Sequence, residues 1–191
     1  MDARFVVPGP LDIAGTLSRY RLWGEDPVNR LSDGVFRRAI KWEGRWRGYE
    51  LRWSDDAHAP RLTVSVPGAR RAALVDAAVA EVRHLCGLDL ALAPFYAASA
   101  GDAVLGGLTA RLRGLRPTLS PGTFEMLVGS VCAQQVNLTF AFTVRARLVR
   151  RFGAPLLIGG AAMYSFPEPT GIRRAAVAAL GRLLLTTRQR E

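Results

Sequence analysis

Hydrophobic periodicity changes character once along this chain, near Gly87, and that change limits the possible folds more than any single motif. Ahead of it the pattern is mixed. Phe5-Val6-Val7 reads as a short strand, and Asp12 is placed to cap a helix over Ile13 to Arg21. Val35 to Trp42 and Arg47 to Trp53 flank Glu43-Gly44, a hairpin signal, and Leu62, Val64 and Val66 alternate with polar residues as a third strand. Ala69 to Cys86 reads as a helix with Leu74, Val75, Ala78, Val82 and Leu85 along one side. Trp42, Trp46, Tyr49 and Trp53 suit packing in a half-buried sheet better than a base-stacking platform. From Gly87 onward the strand signals end, and the segments read as helices broken at Pro94, Gly106-Gly107, Pro117 to Pro121 and Gly153 to Pro155. The fold class is therefore α+β. A small mixed domain of antiparallel sheet plus helices, residues 1–90, precedes a helical part, residues 91–191, with the boundary between 87 and 100.

Within the helical part, Phe124, Leu127, Val128, Val131 and Cys132 recur at i, i+3, i+4, i+7 and i+8, the pattern of a core helix. Ser120-Pro121-Gly122-Thr123 supplies a Ser or Thr cap and a first-turn Pro. Asn137 caps a second helix carrying Leu138, Ala141, Val144, Leu148 and Phe152, with Gly153 as its stop. Gln134 and Gln135 then sit at the corner between two helices. A last helical stretch runs from Ile172 to Leu185, and Thr186 or Thr187 opens a further one with few residues left to cap.

Composition narrows the class further. With 49% hydrophobic residues the chain is globular, and it has no apolar run of bilayer length and no secretion signal at its start, which makes the cytoplasm or nucleoid the expected location. Cys86 and Cys132 lack metal-binding spacing and read as buried thiols, so no metal and no cofactor is expected. His58 and His84 are isolated and fit surface or packing roles. Net charge is +10, and its distribution is uneven. Residues 1–102 hold 14 basic against 13 acidic side chains, whereas residues 103–191 hold 12 against 3, leaving +1 and +9. Between Glu125 and Glu168 there is no carboxylate, while Arg145, Arg147, Arg150 and Arg151 lie in that window. Since 25 of the 26 basic residues are Arg, coding bias also contributes, but acid depletion beside the Gln pair is what a phosphate-binding surface requires.

Arg116-Pro117-Thr118, Phe124-Glu125, Cys132-Ala133-Gln134-Gln135 and Arg147 to Gly153 together resemble the alkylated-purine (3-methyladenine type II) branch of the helix-hairpin-helix DNA glycosylases. Leu88-Asp89-Leu90 before Pro94-Phe95-Tyr96, Phe166-Pro167-Glu168-Pro169 and Leu185-Thr186-Thr187-Arg188 extend the resemblance over most of the chain. It implies an N-terminal mixed sheet beside the first portion of an all-helical glycosylase domain. It also implies base excision repair on double-stranded DNA with alkylated bases, carried out by a monomer. The damaged nucleotide is rotated out of the duplex, and its N-glycosidic bond is hydrolysed through an oxocarbenium-like state that a carboxylate stabilises.

That chemistry needs a phosphate grip, a filler for the vacated base position and a carboxylate. Gln134 and Gln135 match the family's corner pair that fills the gap, with Asn137 and Arg145 beside them as further DNA-binding candidates and Tyr20 as a candidate wall of the substrate pocket. The family's Leu-Pro-Gly-Ile-Gly hairpin and following Asp are absent, and no Asp occurs after Asp102. Glu125, Glu168 and Glu191 are not placed as catalytic acids. Ala91 stands where the family often has a second Asp, and Asn137 where Ser is common. The expectation is a glycosylase sequence truncated before its catalytic Asp and inactive by itself. The alternatives are a non-catalytic DNA-binding remnant and a decayed gene product.

Overall fold

The computed structural model describes residues 1–54, 56, 60–134 and 136–173. Gln135, His58 and the stretch holding most of the expected helix from Ile172 to Leu185, with Thr186 and Thr187, lie outside the described residues. In chain order the elements are β1 (Asp2–Val6), α1 (Ile13–Leu17), α2 (Arg19–Leu22), β2 (Arg30–Ser32), β3 (Val35–Trp42), β4 (Arg45–Trp53), β5 (Arg61–Ser65), α3 (Ala72–Leu85), α4 (Ala93–Ser99), α5 (Leu105–Arg111), α6 (Thr123–Cys132), α7 (Leu138–Phe152), β6 (Pro155–Ile158), β7 (Ala161–Tyr164) and α8 (Pro169–Arg173).

Strands β1 to β5 form an antiparallel sheet in the order β1-β5-β4-β3-β2. The β3–β4 turn uses Glu43 and Gly44, both at positive φ (46° and 76°), which matches the right-handed twist of the flanking strands. Alternation then decides the two faces. On one, Phe36, Tyr49, Leu51, Leu62 and Val64 are fully buried against Leu74, Val75, Ala78, Val82 and Leu85 of α3 and Ile13 and Leu17 of α1. Each such side chain contributes about 1.5–3 kcal/mol on leaving water. Asp12 caps α1 by accepting the Gly15 N–H at 2.7 Å, as its position implies, although the helix breaks at Ser18 and resumes as α2.

The other face carries a correction. The chain after Gly87 is not free of strands: β6 and β7 form a hairpin around Gly159 and Gly160 (φ 54° and 79°), and it covers Ala39 and Gly48 with Ile158 and Met163. Leu156 to Ile158 and Ala161 to Tyr164 around a Gly-Gly pair are a short hairpin signal, too brief to stand out among helices. Gly159 passes so close to the Arg37–Glu50 ion pair that a Cβ there would lie 1.8 Å from Glu50 Oε1.

Helix α6 is not a core helix either. Cys132 is buried and Phe124 and Val128 are half-buried against Val28, Val149 and Phe166, but Leu127 and Val131 are 53% and 59% exposed. Nor is α6 capped by a side chain, since Gly122 occupies the cap position and Ser120 donates instead to the Gly122 carbonyl. Helix α7 follows its pattern better, burying Ala141, Val144 and Leu148, with Leu138 left exposed. Gly153 ends α7 in an extended conformation, and its lack of a side chain serves close approach to the Val149 and Ser165 carbonyls.

Candidate nucleic-acid interface

The α6–α7 corner is built by local hydrogen bonding. The Ala133 N–H donates to Gly129 and the Gln134 N–H to Val131, tightening the end of α6. Asn137 then opens α7 by accepting the Phe140 N–H on its Oδ1 at 2.8 Å. Gln134 stands exposed on this corner. Asn137 is also exposed, but its side-chain oxygen is committed to the cap, the alternative role such a residue always offers.

Beside the corner lies a cleft of about 480 Å³. Gly129, Ser130 and Ala133 form one edge, Leu138, Ala141 and Phe142 of α7 another, and Tyr20 of α2 faces them from the N-terminal unit. Tyr20 packs its ring on Phe36 at 5.5 Å, and burial pushes its phenol up to about 12, so it remains a neutral hydrogen-bonding wall at any physiological pH.

The cleft floor is ionic. Arg145 is only 12% exposed; it donates to Asp26 Oδ1 and to Glu125 Oε1, both at 2.7 Å, and lies over the Phe166 ring at 5.3 Å. Arg38 of β3 donates to Glu125 Oε2 at 2.6 Å, to Glu81 at 3.1 Å and to Asn29 at 2.5 Å. Tyr49 donates to the same Glu81 carboxylate. Burial alone would raise the Asp26 pKa, yet Arg145, the Asn29 side chain and the Val28 N–H outweigh it and hold that carboxyl below its ordinary value. Burial raises Glu81, which the pull of Arg38 and Tyr49 only partly offsets.

These contacts correct the expectation that Arg145 faces DNA: its guanidinium is spent inside the protein. The basic window on α7 is thinned further by Arg150, which pairs with Glu25, leaving Arg147 and Arg151 outward. Arg147 sits ten residues past Asn137, about 15 Å along α7 at the helical rise, so it does not adjoin the corner. Sequence reasoning missed Asp26 and saw Glu125 only as a first-turn acid. A signal existed in the scarcity of acids: both described carboxylates after residue 103 reach back to β3, Glu125 to Arg38 and Glu168 to Lys41. His84, expected to pack or face solvent, donates from Nε2 to the Ser120 carbonyl.

Comparison with known proteins adds a sequence link. No family profile matches the chain. The DNA-3-methyladenine glycosylase of Bacillus subtilis (strain 168) is 32% identical over 104 residues, 54% of this chain and 34% of that protein. The chain resembles that glycosylase in sequence over about half of its own length, and its fold is that of solved DNA glycosylases. A 3-methyladenine DNA glycosylase from Archaeoglobus fulgidus superposes with a TM-score of 0.81 at 23% identity, covering 98% of this chain and 63% of that one. MBOgg1, solved with a low-affinity DNA ligand, gives 0.67 at 15% identity over 95% of this chain and 57% of its own. An 8-oxoguanine glycosylase/lyase from Clostridium acetobutylicum, bound to double-stranded DNA, gives 0.61 at 11% identity over 91% and 55%. The chain thus spans a third of the length of its curated glycosylase relative and under two thirds of these solved glycosylases.

Proposed function

We propose that this chain is the lesion-probing part of a base excision repair glycosylase that acts, as a monomer, on alkylated purines in double-stranded DNA. The observation that carries the reading is the exposed Gln134 on a tight helix corner directly beside a cleft walled by Tyr20 and Phe142. An amide there fills the space a rotated-out nucleotide leaves and hydrogen-bonds the orphaned base, while the cleft receives the extruded base. Asn137 shares this corner, and the sequence relative's name supports the alkylated-purine branch.

Hydrolysis requires a carboxylate free to stabilise the sugar cation. The carboxylates at the cleft, Asp26 and Glu125, are each gripped by arginines, and no Asp follows Asp102 in the sequence. The chain by itself therefore engages DNA without cutting it. Incubation with a methylated duplex and chromatography of free bases tests this, with release no greater than the protein-free control expected. Turnover of 3-methyladenine or 7-methylguanine by the 191-residue chain would overturn the assignment of the missing carboxylate. Failure to bind any duplex at low salt would overturn the functional reading as a whole.

A further inference from the structure

We infer that Glu125 is the positioning residue for the α6–α7 corner. The inference rests on the reading of that corner as the part that meets DNA. Helix α6 fully buries a single side chain, Cys132, and sets Phe124 and Val128 only partly against Val28, Val149 and Phe166. Apolar packing of that extent leaves the tilt of a ten-residue helix poorly defined. The ion pairs define it instead. Glu125 lies in the first turn of α6, at the end opposite Gln134, and receives Arg38 from the sheet at 2.6 Å and Arg145 from α7 at 2.7 Å. Arg38 is in turn fixed by Asn29 and Glu81, and Arg145 by Asp26.

The geometry is that of a closed triangle. Helices α6 and α7 meet at the corner, and the Glu125–Arg145 pair joins the two arms away from it, while Arg38 ties that joint to β3. Gln134 lies nine residues beyond Glu125, about 14 Å along the helix, so a tilt of about 10° at the joint displaces the corner by about 2 Å. Displacements of that size are large on the scale at which placement of a reacting or inserting group matters. Charge-assisted bonds between side chains this buried make the joint stiff, and they fail together when one charge is removed.

The test compares equilibrium binding of the full chain to two duplexes of one sequence, one intact and one carrying a single tetrahydrofuran abasic analogue. Glu125→Gln keeps the shape of the side chain and removes its charge. It is expected to lower the preference for the abasic duplex by about tenfold or more, as misplacement of an oriented group does. Arg38→Lys provides the second variant: it keeps a positive charge on β3, outside the cleft, but cannot hold Glu125, Glu81 and Asn29 at once, and the same selective loss is expected. Cooperative thermal unfolding of each variant shows that the fold is retained. A preference that survives both substitutions, or equal losses on both duplexes, overturns the proposal. Absence of any preference in the unsubstituted chain overturns the reading of the corner, and the proposal falls with it.

Discussion

The sheet unit and the helices after it offer apolar faces of similar regularity and bury them to very different extents. In the first, Leu17, Phe36, Tyr49, Leu51, Leu62 and Val64 are wholly inaccessible, and all five predicted positions on α3 are buried. In the second, α5 buries none of its residues, and α6 leaves Leu127 and Val131 more than half exposed. Periodicity fixes which face a helix presents, and only an opposing surface turns that face into core. Across the gap between the two regions four ion pairs, Arg38 to Glu125, Lys41 to Glu168, Asp26 to Arg145 and Glu25 to Arg150, join residues of the N-terminal unit to residues after Gly122, beside the small apolar contacts of Val28 with Val149 and Phe166 and of Ala39 with Ile158 and Met163.

This contrast makes an ordered set of expectations. Phe36→Ala removes a fully buried ring from the sheet core and should cost about 3–5 kcal/mol in urea unfolding; a loss below about 1 kcal/mol would mean that the two regions are packed alike. Asp26→Asn leaves Arg145 with Glu125 alone and should cost about 3 kcal/mol near neutral pH. The sign follows from its depressed folded-state pKa: the stabilisation is present above the ordinary carboxylate value and is lost as pH falls through the lower folded value. The difference between the wild-type chain and Asp26→Asn should therefore shrink below about pH 4, and urea melts at pH 7, 5 and 3 would expose a pH-independent difference. Leu127→Ala sits at the small end, with a change within about 0.5 kcal/mol, as at other exposed sites; a cost as large as that of Phe36→Ala would show that α6 is covered.

The sheet was legible in the sequence because its signals are local. Glu43-Gly44 specifies its turn, alternation at Leu62, Val64 and Val66 specifies a face, and Asp12 and Asn137 each cap the helix that follows them. The β6–β7 hairpin was not legible, since two four-residue strands around Gly159-Gly160 acquire meaning only by packing on Ala39 and Gly48, more than a hundred residues away. Arg145 misled for a related reason. Its charge suggested phosphate, while its partners, Asp26 and Glu125, are 119 and 20 residues distant and invisible to any window around it. The corner itself was readable from Gln134 and Asn137, but the cleft beside it needs Tyr20 from the other unit.

The central claim is that the α6–α7 corner meets DNA through Gln134. Fluorescence anisotropy of the 191-residue chain on intact and abasic-analogue duplexes, with and without Gln134→Ala, tests it most directly. The account predicts tighter binding to the abasic duplex and loss of that preference on substitution, with cooperative unfolding retained; a preference that Gln134→Ala leaves unchanged would contradict it.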